Sequence, residues 1–160
     1  MNEFATIETP IGTLGIRTNA KGVFRLHLAN NVDYQENQTP FHQYSPILKK
    51  ALKELQEYFD GTRKTFSVPL DLKMPTFYKK ALLEVAKVPF GKTVSYQEIA
   101  HRAGNKKASR AAGSANANNP IAIFIPCHRI LAKNGTLGGY GGGLDKKMIL
   151  LEHEGVDVRL

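Results

Sequence analysis

The period of the hydrophobic residues changes once along this 160-residue chain, and that change constrains most of what the chain can fold into. From Phe4 to Leu28 apolar and polar residues alternate, with Thr9-Pro10-Ile11-Gly12 and Asn19-Ala20-Lys21-Gly22 between the runs. A two-residue period puts every second side chain on one face, so the stretch predicts a three-stranded antiparallel meander. From Ser45 the spacing is helical instead: Ile47, Leu48, Ala51, Leu52, Leu55, Tyr58 and Phe59 recur every three or four residues. Ser45 can cap this helix, Pro46 suits its first turn and Gly61 ends it. Asn30 to Tyr44 is polar without a period and reads as a loop. Residues 62–72 read as a connection with a short extended piece around Phe66 to Leu70. A sheet with one helix over 1–72 is the expected first domain.

The second expected domain, 73–160, is mainly helical. Phe77, Ala81, Leu82 and Val85 mark a helix that stops near Pro89 and Gly91. Ser95-Tyr96-Gln97-Glu98 has the form of a capping box opening a short helix to Ala103. Gly104 turns the chain, and Lys106 to about Ala117 reads as a second helix rich in small residues. This is the spacing of a helix-turn-helix, whose second helix lies against DNA, and it is equally the spacing of a pair of helices that merely pack. Asn118-Asn119-Pro120 breaks the pattern ahead of the apolar run Ile121 to Ile125. Asn134-Gly135 reads as a turn and 138–143 as a glycine-dominated loop able to border a flat ligand. Those glycines do not follow a strand and open a helix, which argues against a dinucleotide cradle. A last helix, about Leu144 to Glu154, carries Met148, Leu150 and Leu151 toward the core and stops at Gly155. The fold class is therefore α+β: a small N-terminal antiparallel sheet plus helix, then a mostly helical, helix-turn-helix (winged-helix-like) domain.

Charge divides the same way. Residues 1–72 hold eight basic and eight acidic side chains and 73–160 hold fourteen and six, so the whole +8 belongs to the second half. That bias suits a polyanionic partner, and a solvated basic face would look the same. The longest apolar runs are far too short to span a bilayer and the N-terminus lacks a signal-peptide pattern, so a cytoplasmic location away from membranes is expected, as a monomer.

Cys127 is the one cysteine. An internal disulfide is excluded, and a metal site normally needs several Cys or His ligands, so no metal is expected. Two readings stay open: a buried small hydrophobe, or a nucleophile favoured by its neighbours His128 and Arg129.

Taken together, Ser95-Tyr96-Gln97-Glu98, Lys107 to Gly113, Asn119-Pro120, Ile125-Pro126-Cys127-His128-Arg129, Gly139-Tyr140 and Leu151-Glu152-His153-Glu154-Gly155 resemble the O6-alkylguanine-DNA alkyltransferases. The resemblance is close over 75–155 and extends to the first domain only in outline. It implies direct DNA repair, in which an alkyl group moves irreversibly from guanine O6 in double-stranded DNA to the protein's own cysteine, each molecule acting once. O4-alkylthymine is left open as a further substrate. Displacement at an alkyl carbon suits a soft sulfur nucleophile, and no cofactor is expected.

The resemblance assigns roles. Cys127 is the acceptor, and His128 activates it through a bridging water because adjacent side chains on an extended segment point apart. Glu154 holds the imidazole, although a carboxylate at a helix C-terminus is disfavoured by the dipole. Asn119 braces the turn beside the thiol, its plain reading being a helix cap. Tyr96 and backbone donors near Tyr140 and Gly141 stabilise the departing base, and Ile130 is a further substrate-binding residue. Since a paired base hides its O6 substituent, the nucleotide must leave the stack. Arg110 fills the gap, with Ser109 and Ala111 allowing close approach, while Lys106 and Lys107 meet phosphates. Asn118 is neutral where some members are basic, and Gly141-Gly142-Gly143 is less bulky than in others, so the size of the alkyl group is left open. The competing readings are a non-reactive alkylguanine sensor, a Cys-His hydrolase and a redox-sensing DNA-binding protein.

Overall fold

A computed structural model describes residues 2–28, 38–132, 135–140 and 142–157, which divide into two compact units, 1–72 and 73–160. Asn134 and Gly141, and most of the loop read over 30–44, lie outside the described residues.

In the first unit β1 (Glu3–Thr9), β2 (Gly12–Asn19) and β3 (Gly22–His27) form an antiparallel sheet in the order β1-β2-β3. Glu3 faces Thr18 and Thr9 faces Gly12, the register that a two-residue link imposes. The helix α1 (Pro46–Asp60) lies against all three strands. Ser45 caps it by accepting from the Leu48 N–H, and Gly61 ends it at φ 83°, a left-handed conformation that favours glycine. Leu14, Ile16, Leu48, Leu55 and Tyr58 are fully buried between sheet and helix.

One position on the buried stripe of α1 is charged. The carboxylate of Glu54 accepts from the backbone N–H groups of Ser67 and Val68 and from the Ser67 hydroxyl, pinning the connection to the helix. Two residues on, that connection bonds to β3: Val23 N–H donates to Pro69 O at 2.9 Å and Asp71 N–H to Val23 O at 2.8 Å.

In the second unit α2 (Thr76–Val85), α3 (Tyr96–Arg102) and α4 (Ser109–Ala117) pack on one another, and α5 (Leu144–His153) closes the chain. Two-residue strands β4 (Val94–Ser95) and β5 (Ile130–Leu131) pair in parallel, which the sequence reading did not anticipate. Ser95 caps α3 by accepting from the Glu98 N–H, but the Glu98 carboxylate takes Arg102 at 3.0 Å. The expected capping box is thus half realised.

The second helix starts at Ser109 rather than Lys106. Asn105 competes for the backbone ahead of it: its side chain accepts from the Lys107 N–H and its carbonyl from the Ala108 N–H. Lys106 and Lys107 therefore sit exposed in the turn.

The apolar run 121–125 is wound into tight turns, and Cys127–Arg129 is one turn of 3-10 helix rather than extended chain. Phe124 N–H donates to Ala122 O around Ile123, whose φ of 73° is costly for a β-branched residue. Cys127 N–H donates to Ile125 O at 2.7 Å around Pro126, at φ −79° and ψ 66°, an inverse γ-turn. Strain of this kind persists only where packing over-determines it, and Ile121, Ile123 and Ile125 are each fully buried.

At Gly22 the backbone of β3 runs close against the connection. A Cβ there would stand 2.3 Å from Pro69 O, and backbone cannot yield as a flexible side chain can. Gly22→Ala should cost about 2–3 kcal/mol, read as a lower urea midpoint for the first unit; an unchanged midpoint would show that the connection is not held in this register.

Candidate active site

The turn that follows Pro126 buries three consecutive polar or ionisable side chains, Cys127, His128 and Arg129. His128 is enclosed completely and its Nε2 lies 2.7 Å from Glu154 Oε2. Because a carboxylate accepts, Nε2 carries the hydrogen and Nδ1 keeps the lone pair. Nδ1 is buried and has no hydrogen-bond partner among the described residues.

Glu154 stands at the C-terminal end of α5, a poor place for a carboxylate until its other contacts are counted. Arg129 grips it with two nitrogens, Nε to Oε1 at 2.8 Å and Nη2 to Oε2 at 2.9 Å, and Gly91 N–H donates to Oε1 at 3.1 Å. The third nitrogen of Arg129, Nη1, donates to Val88 O at 2.6 Å. Arg129 is thus turned away from the thiol and serves as counter-ion to Glu154, which corrects the reading that it favours the thiolate directly.

That role falls to Lys147, which the sequence reading missed. Its ammonium is buried and donates to the carbonyls of Ile130 at 2.7 Å, Leu137, and Gly139 at 3.2 Å. Burial lowers its pKa to about 8, and the charge of an ionised Cys127 would oppose that fall. A signal for it exists in the sequence: 147, 150, 151 and 154 lie on one helical stripe, so a lysine and a glutamate occupy positions that periodicity assigns to the core.

Burial raises the Cys127 pKa above the ordinary thiol value. A hydrogen bond from Asn119, the charge of Lys147 and the backbone N–H groups of Cys127 and His128 oppose that rise. The resting sulfur is therefore a protonated thiol already facing the donors a thiolate needs. Burial also lowers the His128 pKa, against the pull of Glu154, so its imidazole is neutral at neutral pH. A neutral base next in sequence to a protonated thiol is the arrangement from which a proton can leave sulfur.

Asn119 bridges the turn: its Nδ2 donates to Ile125 O and its Oδ1 accepts from Ile121 N–H, both at 2.9 Å. Asn116, a second residue the sequence reading missed, donates Nδ2 to Cys127 O at 3.2 Å. Its side-chain Oδ1 is buried without a hydrogen-bond partner among the described residues.

A cavity of about 440 Å³ is lined by Tyr96, Gly113, Asn116, Ala117, Gly139 and Tyr140. Burial raises the Tyr96 pKa, so its hydroxyl stays a donor. Gly138, at φ 66°, lies against that ring, where a Cβ would come 3.0 Å from the hydroxyl. Ile130 is not at this wall. Its side chain is fully buried in β5, its N–H donates to Cys127 O and its carbonyl accepts from Lys147. Arg110 is exposed on the first turn of α4, with Ser109 and Ala111 half-buried beside it. No group of three or more His, Cys, Asp or Glu suited to a metal occurs among the described residues, and none of the described helices is long and apolar enough to cross a membrane.

A sheet-and-helix unit followed by a helical unit that encloses a single thiol with a base and its carboxylate defines a family. The model of the 6-O-methylguanine DNA methyltransferase ribonuclease-like domain matches residues 3–72, and that of the same enzymes' DNA binding domain matches 76–156. The chain belongs to the 6-O-methylguanine DNA methyltransferase family. It is 41% identical over 163 residues to the constitutive methylated-DNA--protein-cysteine methyltransferase of Bacillus subtilis, covering 99% of each chain. The crystal structure of the Mycobacterium tuberculosis O6-methylguanine methyltransferase superposes with a TM-score of 0.84 at 36% identity, over 96% of this chain and 93% of that one. The OGT protein of the same organism, solved in complex with DNA, has a TM-score of 0.84 at 37% identity over 95% and 92%.

Removing one partner of a buried ion pair strands the other charge. Arg129→Leu should cost about 3–5 kcal/mol, measured as a fall in thermal midpoint, and a midpoint within a degree of the parent would show that Glu154 does not depend on it.

Proposed function

We propose that this protein repairs O6-methylguanine in DNA by moving the methyl group onto Cys127. Family membership over the full chain supports the activity, and the observation that carries the residue assignment is the enclosed thiol, facing donors from Asn119 and two backbone N–H groups, beside a neutral imidazole engaged by Glu154.

His128 takes the thiol proton at Nδ1 through a bridging water, while Nε2–H stays on Glu154 and Arg129 keeps that carboxylate charged. The thiolate formed lies near the Lys147 ammonium. Sγ then attacks the methyl carbon in line, the C–O6 bond breaks, and its electron pair passes to the guanine, toward which Tyr96 donates. The guanine anion regains a proton at N1, in sum the one that left the thiol, so the products are unmodified guanine, an S-methyl thioether and a neutral imidazole. A thioether is not hydrolysed by water under these conditions, so each molecule reacts once.

Access requires the nucleotide to leave the duplex. The exposed Arg110 fills the space it vacates, and the small residues Ser109, Ala111 and Gly113 let α4 approach closely. Lys106 and Lys107, exposed in the preceding turn, meet phosphates, which give affinity without sequence preference. The basic surplus of residues 73–160 acts in the same sense.

Incubation with a duplex carrying O6-methylguanine should add one methyl group to the Cys127 peptide by mass spectrometry, and Cys127→Ser should bind that duplex without reacting. Unmodified protein beside unrepaired DNA would sink the assignment.

The rate should also depend on pH in a defined direction. The neutral imidazole is the active form and its folded pKa lies below 6.5, so transfer should keep more than half of its plateau rate down to pH 6.5 and reach half only on the acid side of it. Single-turnover rates that halve at or above pH 6.5 would exclude His128 as this base.

A further inference from the structure

A phenol hydroxyl accepts a hydrogen bond as readily as it donates one, and nothing in the Tyr96 ring itself decides which it does. The ring is confined by two glycines: a Cβ at Gly138 would come 3.0 Å from the hydroxyl, and one at Gly113 would come 3.9 Å from Cδ1. Those bare segments place the ring and leave its hydroxyl hydrogen free to turn to either side of the C–O bond.

Asn116, buried in α4, hydrogen-bonds that hydroxyl and also reaches the cysteine turn. Its Nδ2 donates to Cys127 O at 3.2 Å, and since a carbonyl only accepts, this contact fixes which way the amide points. Oδ1 has no hydrogen-bond partner among the described residues, so the bond to Tyr96 runs through the second hydrogen on Nδ2. The electrostatics agree on the direction. Burial raises the Tyr96 pKa, Asn116 opposes that rise as a donor to the phenol oxygen must, and an ionised Cys127 would add to it. Cys127 O also accepts from the Ile130 N–H, so that carbonyl stays paired whether or not Asn116 is present.

We propose that Asn116 is a positioning residue for Tyr96: by donating to the phenol oxygen it turns the hydroxyl hydrogen toward the cavity, so that Tyr96 acts as a donor and not as an acceptor. The inference rests on the reading of Cys127 as alkyl acceptor and of Tyr96 as donor to the departing guanine. An amide hydrogen lodged on one side of the oxygen leaves the other side for the hydroxyl's own hydrogen. A hydroxyl that accepts also donates more strongly, because consecutive hydrogen bonds polarise one another. The gain falls in the transition state, when charge builds on the base. Through the same nitrogen, Asn116 keeps this donor in register with the main chain of the nucleophile.

The test is a double-mutant cycle on single-turnover methyl transfer to Cys127 from a duplex carrying O6-methylguanine, using the parent, Asn116→Leu, Tyr96→Phe and the two changes together. Asn116→Leu should slow the parent about tenfold, the order of one net hydrogen bond. With Tyr96→Phe already in place it should slow transfer by less than about twofold, because no hydroxyl is left to orient. Equal slowing in both backgrounds overturns the inference, since a residue that only braces Cys127 would behave that way, and so does an unchanged rate for Asn116→Leu in the parent. A second measurement leaves Asn116 intact and therefore does not depend on that variant folding. In the nuclear magnetic resonance spectrum of nitrogen-labelled protein, Tyr96→Phe, which keeps the ring, should shift one Asn116 Nδ2 hydrogen and speed its exchange with water. Amide resonances indifferent to that substitution overturn the inference as well. All of these results leave the repair activity standing, whereas no transfer in the parent would overturn the repair reading and this inference with it.

Discussion

The carboxylate of Glu154 is the contact on which the second unit depends. It joins the end of α5 to His128 and Arg129 in the cysteine turn and to Gly91 in the link after α2, and Arg129 extends the tie to the carbonyl of Val88. A buried carboxylate is costly unless its lone pairs are filled, and here two guanidinium nitrogens, an imidazole and a backbone N–H fill them. The cluster sets the tautomer of His128 and leaves Nδ1 as the basic nitrogen. Structure and chemistry rest on the same four groups, which is why a helix-end glutamate, awkward by the dipole argument, stands where it does.

Opposing electrostatic effects around Cys127 have a clear order. Burial is the largest influence on the thiol and keeps it protonated. The Asn119 amide, Lys147 and two backbone N–H groups act the other way and gain strength once the proton has gone, because the interior is a poor screen. A thiol held neutral until a base removes its proton is protected from casual oxidants, whose target is the thiolate.

The parts of this molecule legible in the sequence are those determined locally. The meander follows from alternation and two short links, and α1 from its periodic stripe between Ser45 and Gly61. The order Tyr96, Arg110, Asn119, Cys127, His128, Glu154 is legible as a motif. What escaped depends on contacts far apart in the chain. Two-residue strands such as β4 and β5 carry no period, so their pairing has no local signature. The start of α4 was displaced by one asparagine that offers the backbone an alternative turn. Lys147 and Glu54 share another cause: each is charged yet falls on a helical stripe reserved for core residues, and periodicity alone treats such a position as a fault in the pattern. Read as a signal, a charge on the buried stripe marks where a helix reaches across to hold another segment's backbone.

Lys147 shows what that reach accomplishes. It grips Ile130, Leu137 and Gly139 through main-chain carbonyls, a group that every amino acid possesses. The wall of the cavity at Gly139 is therefore held from a distance through its main chain. Such a wall can dwindle to glycine, or be rebuilt with bulk, without losing its anchorage. The dimensions of the chamber and the chemistry of its floor are in this sense written in separate parts of the chain, free to vary independently.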